Sequence, residues 1–449
     1  MRPIHTFLGV ALFAAILSGT SCSTGTKDYA KSMSDPMLYW KTVKKLNDVV
    51  LENIFSPPVA SRNYVYANIA AYEAMRPGDA RFATLSGVIK HMPAMPKPDS
   101  GKAYCFPYSA LVAFCKVGDN VTFSHAVMVD YIEELKHYAD SVGMPDEVQK
   151  NSLAFADTIA AAITTWSKGD KYLITRGAER YTVMPDSEYR WVPTPPSYSD
   201  ALEPKWGEIR LMIVDSSNMI KVPAPPKFDM KDKNGLYYRE VMKVKNAGDS
   251  LTEDQKHMAE FWDDIPFHNN VVGHVMYGTK KFSPPGHWMN INGIAAQQAK
   301  TDFGQTVYAY MSSSVALFDA FICCWHEKYT YNTVRPETMI NKYVDANWRP
   351  HIETPPFPEY TCGHSTISAA AAEVLTSIYG DNFAYTDSSE MAFGIKSRSF
   401  KSFRHAAEEN IWGRFYGGIH LHNSCIVSNK AGREIGTIVA ERLKVVRKG

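Results

Sequence analysis

Several scarcities narrow what this 449-residue chain can be. Its seven cysteines are too few to frame a disulfide scaffold. Neither sign of charge is in surplus: 48 Lys and Arg face 47 Asp and Glu, a formal net charge of +1. That balance argues against a general nucleic-acid binder, which needs a basic surplus for phosphates, and against a disordered acidic tail protein. After residue 25 no apolar run approaches the roughly 20 residues that span a bilayer. There is no strand-rich block and no internal repeat with a period of roughly 20 to 50 residues. What is present, 45% hydrophobic and 21% charged residues, is ordinary globular composition, long enough for a large core or two domains.

The N-terminus stands apart. Arg2 and His5 precede an apolar run from Phe7 to Leu17, then the small residues Ser18-Gly19-Thr20-Ser21, then Cys22. A charged start, a short apolar stretch and a small-residue cleavage site make an export signal over residues 1–21. Its ending on Cys resembles a bacterial lipoprotein signal, although Gly19 stands where Leu is usual. The expectation is an exported lipoprotein, periplasmic or at the cell surface on the outer membrane, held to the membrane only through lipid on Cys22. Of the other six cysteines, Cys105 and Cys115 are candidates to pair in an oxidising compartment, whereas adjacent Cys323 and Cys324 read as buried helix residues.

Most of the remaining chain reads as helix. Leu38 to Phe55, Ser61 to Met75, Phe123 to Ser141 and Asp146 to Lys168 carry apolar residues at three- and four-residue spacing, with Asp146 as N-cap. Between 170 and 235 eight prolines, from Pro185 to Pro226, interrupt the pattern among Tyr and Trp residues. Prolines at that density exclude helix interiors, so this segment is an extended excursion wrapped on the surface and packed down by its aromatics. Helical patterning resumes at Ser250 to Asp264, where Ser250 and Glu253 have capping-box spacing. It continues through Ile294 to Gln298, Gln305 to Tyr331, His364 to Tyr379 and from Phe403 onward. The fold class is all-α, two helical-bundle halves over 22–240 and 241–449, with any chemistry in the second.

Three stretches of the second half carry that chemistry. In Lys328-Tyr-Thr-Tyr-Asn-Thr-Val-Arg335-Pro336 the two cations are seven residues apart, almost two helical turns, and so share one face of a helix that Pro336 ends. In Pro358-Glu-Tyr-Thr-Cys362-Gly363-His364-Ser-Thr a glycine turn feeds a helix start, whose N–H groups and dipole make an anion cradle with His364 at its lip. In Arg414-Phe-Tyr-Gly417-Gly418-Ile-His420 the paired glycines bend the backbone and bring Arg414 and His420 to one point. Taken singly, these are a solvated basic face, a capped helix start and a helix ending in glycines. Together, three cations, a glycine turn and two histidines are what a tightly held tetrahedral or trigonal-bipyramidal oxyanion requires.

Their order and spacing resemble the type 2 phosphatidic-acid phosphatase and vanadium haloperoxidase superfamily: Lys328-x6-Arg335-Pro336, Cys362-Gly363-His364 and Arg414-x5-His420. The surrounding residues are most similar to bacterial vanadium-dependent haloperoxidases of the iodoperoxidase-like group. The specific motifs cover about residues 320 to 440, and the stretch Trp191-Val-Pro-Thr-Pro-Pro196 is more loosely similar. The resemblance implies vanadate as cofactor, coordinated by His420 and hydrogen bonded by Lys328, Arg335, Gly363 and Arg414. It further implies His364 as acid–base for peroxide cleavage, Lys328 polarising the bound peroxide, and halide, iodide or bromide favoured, oxidised by hydrogen peroxide to hypohalous acid. Trp325 and Phe357 would line the halide approach or serve as core aromatics. The group's members are commonly two-bundle helical proteins and often homo-oligomers.

Two residues depart from the superfamily pattern. Cys362 replaces its Ser, a weaker donor that peroxide can oxidise. Ser424 stands four residues after His420, where many members carry Asp to support the histidine, so a different residue is needed to orient that ring. Two further functions share the same residues. One is an acid phosphatase on phosphomonoesters, needing no cofactor, with His420 as nucleophile and His364 as the acid. The other is a surface binding lipoprotein with an inactive pocket. A zinc hydrolase on His420-x-His422 or His326-Glu327 lacks the His-Glu-x-x-His spacing that puts two ligands on one helix face.

Overall fold

The computed structural model describes residues 28–447 apart from Pro185, Phe267, Gly273 and His274. The export signal and Cys22 lie outside the described residues. The first helices are α1 (Tyr29–Met33), α2 (Pro36–Glu52), α3 (Pro57–Met75), α4 (Phe106–Asn120), α5 (His125–Ser141), α6 (Asp146–Ser167) and the short α7 (Tyr172–Arg176). Then come α8 (Leu236–Gly248), α9 (Glu253–Phe261), α10 (Pro284–Ala299), α11 (Phe303–Tyr331), α12 (Pro336–Tyr343), α13 (Gly363–Tyr379), α14 (Phe403–Tyr416) and α15 (His422–Lys444). Two antiparallel hairpins interrupt them: β1 (His268–Val272) with β2 (Val275–Thr279), and β3 (Tyr385–Asp387) with β4 (Arg398–Phe400). The all-α expectation holds, with these two small sheets added.

The helix starts follow local chemistry, not always at the expected residue. Asp146 is the first helical residue, after Pro145 at the cap. Before α9 the capping box uses Thr252 and Gln255 rather than Ser250 and Glu253. Ser250 Oγ instead donates to Asn246 O at 3.2 Å, so it closes α8. A second capping box, Asp302 with Gln305, opens α11. Cys105 and Cys115 are both free. Cys105 caps α4 and Cys115 lies ten residues along it, about 15 Å at the helical rise, well beyond disulfide reach.

The 29-residue α11 organises the rest. Contrary to the sequence reading that no apolar run after residue 25 is long enough to span a bilayer, its length and hydropathy suffice; its apolar stretch is nevertheless wholly buried, as a helix apolar on all sides is in a large core. It packs against α3 on one side and α13 on the other, and a continuous apolar cluster runs through all three. Helix α13 in turn lies against α15. Small residues set that approach: a Cβ on Gly432 would fall 2.0 Å from Thr366 O.

The proline-rich excursion is tied down along its length. Trp191 N donates to Asn332 O at 3.0 Å, Val334 N to Tyr189 O at 2.9 Å, and Leu202 N to Pro356 O at 2.9 Å. Further on, the amides of Met212, Ile213 and Val214 donate to the buried Asp319 carboxylate of α11 at 2.7 to 2.9 Å. Burial pushes that carboxyl up to about 6, and the three amides compensate an otherwise unpaired charge. The excursion thus straps the loop segments around 332 and 356, the first leading to Arg335 and the second to carbonyls that hold Lys328 and Arg335.

Candidate functional site

The first motif is built differently from the expected single helix. Helix α11 stops at Tyr331, because Asn332 turns left-handed (φ 51°). Pro336 then begins α12 instead of ending α11, and Arg335 is its extended cap residue. A proline is as suited to a first helical position as it is to stopping a helix. Lys328 and Arg335 therefore do not share a helix face; a four-residue turn carries Arg335 round.

Both cations are fully buried. Lys328 Nζ donates to Pro358 O at 2.6 Å and Glu359 O at 3.1 Å. Arg335 Nε donates to Phe357 O at 2.8 Å, and Nη1 to Ile419 O at 2.8 Å. Trp325 and Phe357, with ring centroids 5.0 Å apart, are core residues that also wall the cations. Lys328 Nζ lies 4.9 Å from the Phe357 centroid, and the Arg335 guanidinium 5.0 Å from it. Burial, with Arg335's charge opposing it further, lowers the Lys328 ammonium to about 8. Burial likewise lowers Arg335 to about 10, with Arg414's charge adding to it.

The second motif opens α13 as expected. Cys362 is the cap, its amide donating to Ser428 Oγ at 2.8 Å. Gly363 is the first helical residue, and a Cβ there would meet Trp325 at 3.4 Å and Lys328 Cε at 3.9 Å. That is ordinary contact, so protein packing does not demand the glycine. The missing side chain leaves open a space between an amide and an ammonium. His364 is not at an open lip but nearly buried. Burial first, then the charge of Arg414, lowers its ring to about 4, which leaves it neutral at neutral pH.

The third motif turns at its glycines. Helix α14 ends at Tyr416, and Gly418 (φ 81°) turns the chain so that His420 lies on the loop before α15. His420 Nε2 is 3.1 Å from Arg335 Nη1, while Nδ1 is 2.9 Å from Glu359 Oε1. Glu359 accepts three hydrogens: from His420 Nδ1, from the Leu421 amide at 3.1 Å and from Ser424 Oγ at 3.0 Å. The ring is thereby fixed with its proton on Nδ1 and a lone pair on Nε2. Glu359 fills the role for which the residue at 424 is the wrong length and charge; Ser424 holds Glu359 instead.

Behind His364 lies a layer that motif reading missed. Asp264 Oδ2 is 3.5 Å from His364 Nε2, and Asp264 Oδ1 is 2.9 Å from His287 Nδ1. His287 Nε2 is 2.9 Å from Asp387 Oδ2, and Ser389 Oγ donates to Asp387 Oδ1 at 2.7 Å. Despite its burial, the two flanking carboxylates raise the His287 ring well above its ordinary value. Burial pushes neighbouring Glu390 up to about 8. The indole of Trp262 stacks on His287 at 5.1 Å, and its carbonyl accepts from Arg414 Nη1. The only sequence signal for this layer was an acidic pair, Asp263-Asp264, beside aromatic residues.

The donors left over define what the site takes. Arg335 Nη2 and Arg414 Nε and Nη2 are buried without a partner, whereas His364 Nε2 faces Asp264. An uncompensated buried cation is costly, by about 3–5 kcal/mol on removal of a partner. Two guanidiniums with free N–H groups, an ammonium, an open glycine space and an unprotonated His420 Nε2 fit a tetrahedral oxyanion.

Comparison with known proteins agrees. The family model described as the VCPO second helical-bundle domain matches residues 308–449. A solved structure described as the first bacterial vanadium-dependent iodoperoxidase superposes with TM-score 0.84 and 37% identity, covering 91% of this chain and 96% of its own. Apo- and holo-type bacterial vanadium-dependent chloroperoxidases superpose at TM-scores 0.65 and 0.64 with 15% identity, each covering 88% of this chain and 96% and 94% of their own. Those two show the fold alone. A search of curated proteins finds no match. With 37% identity to the iodoperoxidase over nearly all of both chains, this chain belongs to the vanadium haloperoxidase family.

Proposed function

We propose that the protein is a vanadium-dependent haloperoxidase that oxidises halide with hydrogen peroxide to hypohalous acid, iodide or bromide being favoured. The observation that carries this reading is the pairing of orphaned guanidinium donors with a His420 ring whose Nε2 is left unprotonated by Glu359. The similarity to a bacterial iodoperoxidase supports it. In this reading His420 Nε2 would ligate vanadate, and Lys328, Arg335, Arg414 and the Gly363 amide would hold its oxygens. Vanadate when bound supplies Lewis acidity that activates peroxide.

The chain's own residues do the rest. Arg335 and Arg414 offer planar, permanently charged donors that neutralise the oxyanion without consuming a proton. Lys328, held by two carbonyls and walled by Phe357 and Trp325, presents a positive charge with water excluded around it. Asp264 favours a proton on His364 Nε2, so Nδ1 is the nitrogen that takes a proton from peroxide. Asp264 then faces the imidazolium that results. Asp387 extends this acid–base line to the partly exposed Ser389.

The test follows iodide-dependent peroxide consumption with apo protein and with protein given orthovanadate. Activity that appears with vanadate and is lost in His420→Ala supports the proposal. Hydrolysis of a phosphomonoester that vanadate inhibits, without halide oxidation, overturns it in favour of a phosphatase.

A further inference from the structure

Of the two residues that depart from the superfamily pattern, Cys362 has a cysteine partner. Cys362 caps α13 at the oxyanion pocket, and Cys425 sits in the first turn of α15. Their Sγ atoms and a ring nitrogen of His420 all lie within 4.8 Å of one another. Both thiols are fully buried and free, packed together against Ile411. Ser365 Oγ donates to the Cys362 sulfur at 3.3 Å. The proposed halide chemistry uses neither thiol. A small oxidant able to reach the His420 ring is also within reach of Cys362, and Cys425 is the nearest place for the resulting oxidation to go.

We propose that Cys362 and Cys425 form a peroxide-driven, reducible disulfide at the edge of the oxyanion pocket. The proposal rests on the haloperoxidase reading only in taking hydrogen peroxide as a molecule that enters that pocket. In the first step the Cys362 sulfur attacks one peroxide oxygen. An S–O bond forms, the O–O bond breaks, and the second oxygen leaves as water with the thiol proton, giving the sulfenic acid. In the second step Cys425 Sγ attacks the Cys362 sulfur. The S–S bond forms, the S–O bond breaks, and the hydroxyl leaves as water with the Cys425 proton. Two thiols lose two electrons and one peroxide becomes two waters.

The pair halts Cys362 at a reversible stage. Without Cys425 the sulfenic acid has no thiol at hand and proceeds to sulfinic and sulfonic acids, which thiols do not restore. The other described cysteines offer no equivalent partner: Cys105, Cys115 and Cys323 are not in this cluster, and Cys324 Sγ is engaged with Thr361 Oγ1 at 3.2 Å.

The test uses the reduced full chain, free of vanadate and halide, treated with a few equivalents of hydrogen peroxide and mapped as non-reduced peptides by mass spectrometry. The expected product joins the Cys362 and Cys425 peptides, about 2 Da lighter than their sum, and dithiothreitol reverses it. In Cys425→Ser, Cys362 gains two or three oxygens, about 32 or 48 Da. In Cys362→Ser, Cys425 stays a free thiol. Over-oxidised Cys362 beside a free Cys425 in the natural protein overturns the proposal, as does survival of both as free thiols. Vanadate-dependent iodide turnover is measured on the same preparation. A crosslink without turnover removes the haloperoxidase reading alone, and turnover without a crosslink removes this proposal alone.

Discussion

His420 Nδ1 and Glu359 Oε1 are 2.9 Å apart although 61 residues separate them, and both side chains are buried. The contact decides which ring nitrogen carries the proton, and so whether Nε2 can face an oxyanion as a ligand. Ser424, at the position where a supporting acid was expected, sits on the far side of the same carboxylate, its Oγ 3.0 Å from Oε2. In this chain the ring's carboxylate support comes from the loop before α13 rather than from α15.

That relocation predicts a compensation. Glu359→Gln weakens orthovanadate binding by about 10- to 100-fold, the usual effect of losing a carboxylate behind a ligating histidine. Ser424→Asp alone destabilises the fold, since it sets two carboxylates against each other in a buried site. Glu359→Gln with Ser424→Asp recovers affinity over Glu359→Gln. Equilibrium dialysis and thermal melts of the three variants check this.

Gly363 separates packing from binding. A Cβ there meets only ordinary contacts, so Gly363→Ala leaves stability within about 0.5 kcal/mol. Because the methyl occupies the space between Trp325 and Lys328, oxyanion affinity falls at least tenfold, about 1.4 kcal/mol. A melt in buffer and a melt with orthovanadate read the two effects separately.

Oxyanion affinity depends on pH through Lys328. Its ammonium, lowered to about 8 by burial first, loses its charge as pH rises through that value. Binding therefore weakens above about pH 8. Lys328→Met binds weakly throughout and lacks this inflection, which distinguishes the lysine's titration from that of the anion. Calorimetric titration of both proteins between pH 7 and 10 is the check.

His364 predicts an acid-side loss of stability. Its folded-state value is about 4 against an ordinary 6.5, chiefly from burial. Between those values the unfolded chain binds more protons than the folded one, so stability falls as pH falls, by up to about 1.4 kcal/mol per pH unit. His364→Gln removes this contribution, and denaturant melts from pH 7 to pH 4.5 show a shallower slope than the natural protein.

Much of the architecture was legible because helical periodicity is a repeated signal. Helices α2, α5, α6 and α11 begin and end within a few residues of their apolar patterns. The bend before His420 was legible for a different reason: paired glycines permit a turn that other residues resist, and Gly418 takes it. The turn at Asn332 was not legible, since Pro336 is equally compatible with ending one helix and beginning the next. Glu359 was hidden in a proline knot, where no periodicity assigns a direction to a side chain. Asp264, His287 and Asp387 meet only through packing of separate elements, and no spacing in the chain encodes that meeting.

The central claim is that His420, oriented by Glu359, anchors an oxyanion among Lys328, Arg335 and Arg414. Its most direct test is the stoichiometry of orthovanadate retained after dialysis by the natural protein and by His420→Ala. The account predicts one vanadate per chain in the first and none in the second, with circular dichroism showing both folded. Equal retention by the two proteins, or none by either, contradicts it.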